Sequence, residues 1–175
     1  MADKLVVIIN GAGGVGKDTM IDYVAGKIGA VNHSTITTVK EIAKIIGWNG
    51  KKDIPGRLFL HRTKMMLSEW FDFPYKEMLS AIESFMESGN VPVMFCQVRE
   101  EPEIRRLCKE LDQKGVPYTT VIVTRESVGN SFYGNPADDG VGKSFDYNYW
   151  LENDGSVEES GEWLLDRLKY ELSIH

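Results

Sequence analysis

The apolar run Leu5-Val6-Val7-Ile8-Ile9 leads through Asn10 into Gly11-Ala12-Gly13-Gly14-Val15-Gly16-Lys17-Asp18-Thr19. A short apolar run rich in β-branched residues and closed by glycines predicts a buried strand. A helical pattern resumes at Lys17 and is predicted to run to about Ile28. Strand, glycine-rich loop, Gly-Lys and helix together make the P-loop pattern, a cradle for phosphate groups. Gly11, Gly13, Gly14 and Gly16 let the backbone close around an anion. The loop amides then point inward, and the helix N-terminus adds its positive dipole end. Lys17 supplies a mobile charge for the outer phosphates. Every residue from Gly11 to Thr19 is therefore a candidate nucleotide contact. One departure stands out: Asp18 occupies the usual Ser/Thr position, and the hydroxyl follows at Thr19.

At 175 residues the chain is expected to form one domain, residues 1–175, with a sizeable core. Hydrophobic content of 42% and charged content of 26% are ordinary values for a globular chain. A formal net charge of −6 argues against nonspecific nucleic-acid binding. It also means that phosphate-binding cations must be gathered locally. Cys96 and Cys108 make no metal spacing, and a reduced cytoplasmic protein is the expectation. No apolar run approaches the roughly 18 residues of a membrane span, so no membrane association is expected. Met1-Ala2-Asp3-Lys4 runs straight into a core strand, which predicts no signal peptide. Oligomeric state is not readable.

Strand-like runs lie at 4–10, 30–33, 91–97, 118–124 and 146–151. Between them, Val39, Ile42, Ala43 and Ile46 share a helical face, with Thr38 and Glu41 spaced as a capping box and Gly47 as the stop. Further helices are predicted over about 54–70 and 73–88, each with a proline near its start, from Glu101 to near Gly115, and over 157–173. The last carries a Ser156/Glu159 capping box. This order predicts an α/β fold: a parallel five-stranded P-loop sheet with helices on both faces. Two additions break the alternation, a helical insertion over 34–90 and a Gly/Asn/Ser/Asp-rich stretch over 125–144. Both follow strands, which places them at the carboxyl end of the sheet with the loop.

A P-loop on the first strand, a helical insertion before the third and a lid before the last resemble the nucleoside monophosphate kinase group. Gly16-Lys17-Asp18-Thr19 is similar to the loop of phage-type deoxynucleoside monophosphate kinases. The segments Lys51-Lys52-Asp53 leading to Arg57, Gln97-Val98-Arg99, and Asn153-Asp154-Gly155 are suggestive of the same set. The resemblance implies ATP and Mg²⁺ as cofactors and a small-molecule phosphate acceptor, first a nucleoside or deoxynucleoside monophosphate. Another small phosphorylated or hydroxylated metabolite is the alternative acceptor. A nucleotide-binding regulatory ATPase is the alternative class.

The resemblance also distributes roles. Arg57, His61 and Lys64 fall at i, i+4, i+7 on one face. Arg57 and Lys64 are its candidates for the acceptor phosphate, while His61 fits a solvated face equally. Leu58, Met65, Met66 and Trp70 are expected to face the core. Arg99 should point into the crevice from the end of the third strand and join Arg57 and Lys64 in holding the acceptor, with Glu100, Glu101 and Glu103 placed to orient it. Arg105 and Arg106 are expected to be solvated. Arg125, at the start of the lid, is the candidate for stabilising a phosphoryl group in flight, with Lys143 assisting. Asn153 and Gly155 are candidates for a turn against the nucleotide base, or form a plain turn before a capped helix. Phe132, Tyr133, Tyr147, Tyr149 and Trp150 are available to stack on a base or to pack locally. The third strand ends in Phe95-Cys96-Gln97, without the metal-supporting aspartate many P-loop enzymes carry there. Asp18 is thus the candidate metal support and a candidate catalytic residue with Lys17 and Arg125. Its other reading is an acid favoured by the dipole in a first helical turn.

Overall fold

The computed structural model describes residues 4–51, 53–128 and 144–174. Its elements run β1 (Leu5–Asn10), α1 (Lys17–Ile28), β2 (Ala30–Ser34), α2 (Thr37–Ile45), α3 (Ile54–Phe71), α4 (Phe73–Glu87), β3 (Val93–Gln97), α5 (Glu101–Lys114), β4 (Tyr118–Thr124), β5 (Tyr149–Glu152) and α6 (Val157–Ile174). The five strands form one sheet in the order β2-β3-β1-β4-β5, with every pair parallel. β1 lies between β3 and β4, with Val7 opposite both Phe95 and Thr119.

Alternation along β1 divides the core, because successive side chains of a strand point to opposite faces. Leu5, Val7 and Ile9 join Met20, Val24, Leu164 and Leu168 of α1 and α6. Val6 and Ile8 join Met78, Ile82, Ile104 and Leu107 of α4 and α5. All six residues of β1 are buried, as a strand covered on both faces must be. The strand order reverses beside β1, so the crevice at its carboxyl end opens where the P-loop begins.

The insertion separates into two parts. α4 is a crossover helix that seals one sheet face with Tyr75, Met78, Ile82 and Phe85. α2 and α3 stand apart from that layer, packing on each other and, for α3, on α4. Asp72 joins α3 to α4 in the left-handed conformation at φ 53°, a region that Asp tolerates better than most residues. Arg106 of α5 grips its carboxylate with two bonds of 2.7 and 2.6 Å and stacks 3.6 Å over the Tyr75 ring. The hydrogen bonds from Arg106 hold the Asp72 carboxyl below its usual range. Arg105 likewise donates to the Ser144 carbonyl, so neither arginine is merely solvated.

Several local expectations fail for identifiable reasons. α2 starts at Thr37 with Ile36 before it and no side-chain cap. The Thr38 hydroxyl donates to Glu77 of α4 instead of capping, so the Thr38/Glu41 box does not form. Ile46 falls beyond the helix and is 61% exposed. On α3 the buried face is Gly56, Leu60, Thr63, Lys64 and Leu67. Met65, Met66 and Trp70 are 51, 49 and 75% exposed, since only one flank of α3 meets the rest of the molecule. The Ser156/Glu159 box is present: Ser156 N donates to Glu159 Oε2 at 3.0 Å, and Glu159 N to Ser156 Oγ at 3.2 Å. Apart from Arg125 to Val128 and Ser144, the expected lid lies outside the described residues, as do Phe132, Tyr133 and Lys143. Among the described residues no helix is long and apolar enough to cross a membrane.

Candidate phosphate-binding cleft

The loop after β1 is shaped by close backbone approach. Gly11, Gly14 and Gly16 have φ of 146°, 87° and 91°. A Cβ on Gly11 would lie 2.5 Å from the Val123 carbonyl oxygen. One on Gly16 would collide with the Asn153 amide, so glycine is required there by space as well as by φ. Gly16 then serves as the residue before α1, and its carbonyl accepts from Met20 N at 3.1 Å. Val15 turns its side chain into the core, which pins the loop from below.

Two asparagines fix the loop from either side. Asn10 is fully buried at the end of β1. Its Oδ1 accepts from Gly11 N at 2.7 Å, while its Nδ2 donates to the Tyr147 hydroxyl at 2.7 Å and to the Arg99 carbonyl at 3.2 Å. Asn153 follows β5 and donates from Nδ2 to the Val15 carbonyl at 2.7 Å. Asn153 thus supports the loop from behind. Neither Asn153 nor Gly155 lines the cleft, and Gly155 sits in the turn against the Glu159 carboxylate. The signal for Asn10 was its position between strand and first glycine, where a side-chain acceptor can cap the first loop amide.

A cleft of about 620 Å³ opens above the loop. Gly13, Gly14, Gly16, Lys17, Asp18 and Thr19 form its floor. Gly11, Ala12 and Val15 do not line it. Lys17 curls over the loop, donating to the Gly11 carbonyl and, at 2.9 Å, to that of Ala12. The opposite wall comes from α3, where Arg57, His61 and Lys64 all reach the cleft as their spacing predicts. Arg99 after β3 and Arg125 after β4 complete the cationic lining. In a chain of net charge −6, six of the 20 lysines and arginines (Lys17, Lys40, Arg57, Lys64, Arg99 and Arg125) line this one cleft. The Asn32, Ser34, Thr35, Thr37 and Lys40 wall was not anticipated. Its signal was the hydroxyl-rich run Ser34-Thr35-Ile36-Thr37 directly after a strand, at the carboxyl edge of the sheet.

Asp18 is exposed in the first turn of α1, and its Oδ1 accepts from Gln97 Nε2 at 2.7 Å. Gln97 also donates to Asn32 Oδ1 at 3.2 Å. The residue at the end of β3 is thus an amide that orients the loop acid. Asp18 and Thr19 offer hard oxygen donors beside the phosphate loop. That donor set suits Mg²⁺, which takes one or two carboxylates and completes its shell with phosphate oxygens and water.

Lys64 is buried and donates to Glu100 Oε2 at 2.5 Å and to Glu103 Oε2 at 3.4 Å. Glu100 and Glu103 therefore serve Lys64, a pairing the expectation that they orient Arg99 did not include. Burial opposes the charge of Glu100, but the Lys64 ammonium outweighs it and holds that carboxyl below its usual range. Burial pushes the more distant Glu103 upward despite Lys64, and the charge of Glu100 adds to the rise. Of the candidate stacking aromatics, Tyr147 is engaged by Asn10, and Tyr149 donates to Glu171 at 2.5 Å and packs edge-on against Trp163. Trp150 donates to the Thr124 hydroxyl at 3.3 Å.

No protein-family model matches the sequence, and no curated protein sequence matches it. Solved structures do match in fold over nearly the whole chain. A sugar kinase from Janibacter sp. is 14% identical with a TM-score of 0.57, covering 98% of each chain. The tunicamycin resistance protein of Deinococcus radiodurans is 12% identical with a TM-score of 0.60, covering 95% of this chain and 96% of its own. The APS kinase of Mycobacterium tuberculosis, in complex with AMPPNP and APS, is 13% identical with a TM-score of 0.56, covering 95% and 98%. The chain shares its fold with these proteins.

Proposed function

We propose that this chain is an ATP-dependent phosphotransferase that moves the γ-phosphoryl group of ATP to a small anionic acceptor, with nucleoside and deoxynucleoside monophosphates as the acceptor class. The observation that carries the reading is the gathering of Lys17, Arg57, Arg99 and Arg125 around one cleft floored by a glycine loop. Phosphoryl transfer asks little covalent chemistry of a protein and much positioning and charge neutralisation. The loop amides and Lys17 hold the triphosphate. Arg125 neutralises the group being transferred, and Arg57 and Arg99 hold the acceptor, with the planar guanidinium of Arg57 suited to two phosphate oxygens. Asp18 and Thr19 would hold Mg²⁺, which neutralises charge on the phosphates. The APS kinase that shares the fold was solved with AMPPNP, which supports ATP as donor.

A thermal-shift screen tests the pairing of donor and acceptor. Each nucleoside monophosphate, alone and with Mg-AMPPNP, is titrated against the protein. The expected outcome is a rise in Tm with AMPPNP and a further rise when one monophosphate joins it, since ligands of the native state stabilise by mass action. A shift from AMPPNP that no monophosphate extends would favour a regulatory ATPase or a different acceptor.

A further inference from the structure

The acceptor wall holds a charge arrangement that phosphate binding does not explain. Lys64 is only 6% exposed, and its ammonium faces two carboxylates. Lys64 and Glu100 both line the cleft, whereas Glu103 does not. A phosphate approaching Lys64 would meet the Glu100 carboxylate on the same wall. Lys64 is already paired with that carboxylate at 2.5 Å, and an ionised carboxylate is an acceptor of hydrogen bonds alone. Its natural partner is a neutral hydroxyl, to which a charged acceptor bonds more strongly than a neutral one. Arg57 stands two turns earlier on the same face of α3 and leaves the anionic end of a ligand a place to go.

Resting on the kinase reading above, we propose that Glu100 recognises a sugar hydroxyl of the acceptor, and that Lys64 is the counter-ion fixing Glu100 in place and not a ligand of the acceptor phosphate. The site then reads its acceptor at two ends, a phosphate at Arg57 and a ribose or deoxyribose hydroxyl at Glu100. Lys64 acts through Glu100 and is a positioning residue.

Calorimetric titration of the AMPPNP-loaded protein tests this with AMP, dAMP and 2′,3′-dideoxyAMP, and with the same three sugars on the other bases. Wild type should favour a hydroxylated member over its dideoxy partner on the order of tenfold to a hundredfold, the value of a hydrogen bond to a charged group. Glu100→Ala should reduce that ratio to within about threefold, because the site no longer distinguishes the hydroxyl. AMPPNP affinity should hold in the same variant, which reports that the fold is intact. Lys64→Met should collapse the same ratio. If Lys64→Met instead weakens every member equally and leaves the ratio unchanged, Lys64 holds the phosphate and the assignment is overturned. Should Lys64→Met fail to fold, Glu100→Ala decides alone. Equal binding of all three sugars, binding of none, or an unchanged ratio in Glu100→Ala also overturns it. Failure of wild type to bind AMPPNP would instead strike the kinase reading itself.

Discussion

Asp18 and Gln97 both depart from the chemical types that P-loop enzymes usually place at these two positions. A hydroxyl would ordinarily follow the lysine, and many such enzymes end the third strand in an acid. Here the acid follows Lys17 and an amide ends β3, with 2.7 Å between them. A bare carboxylate beside a bound triphosphate would be repelled unless a cation lay between them, which is the physical case for Asp18 as metal support. Asp18→Asn keeps the shape while removing the charge. In this account it lowers kcat by a hundredfold or more, on the order expected when a group acting in the transition state is lost. Asp18→Ser restores the common Gly-Lys-Ser-Thr run and separates the two explanations in steady-state assays. Serine fails as asparagine does if the acid has its own role. Near-wild-type rates in both variants would leave Asp18 as only a helix-start acid.

At the scale of elements, the loop is held by its neighbours as much as by its own glycines. The turn after β5 reaches back through Asn153 to the Val15 carbonyl, and β5 itself is tied to β4 where Asn153 N donates to the Thr124 carbonyl at 2.8 Å. Asn153→Asp replaces a buried donor by an acceptor facing a carbonyl. Leaving such a group unsatisfied costs about 1–3 kcal/mol. Urea unfolding should show a lowered midpoint of that size, with AMPPNP affinity reduced alongside because the loop loses its brace. Loss of affinity with unchanged stability would instead return Asn153 to the base-contacting role that its Asn-Asp-Gly turn suggested.

Across the whole molecule, what was legible in the sequence was local periodicity and loop chemistry. Lys17–Ile28 as α1, the parallel sheet implied by alternating elements, and the Ser156/Glu159 cap all follow from residues near one another in the chain. The stripe of Arg57, His61 and Lys64 was legible because helical spacing alone sets it. What escaped depended on partners far away. Trp70 and Met66 look like core residues until α3 is seen to meet the molecule along one flank only. The ion pairs of Lys64 with Glu100 and Glu103 could not be read from α3 alone, because α5 lies far along the chain. Asn10 and Asn153 gain their roles only when loop, β3 and β5 converge, and the place of Lys40 in the cleft lining shows only once the chain is folded. The claim joining these scales is that this cleft transfers phosphate between two bound molecules. Incubation with ATP labelled at the γ-phosphorus, magnesium and each nucleoside monophosphate, followed by separation of products, measures it directly. The account predicts labelled nucleoside diphosphate from at least one acceptor with wild type and none with Lys17→Ala. Label found only as inorganic phosphate, at a rate no acceptor changes, would contradict it.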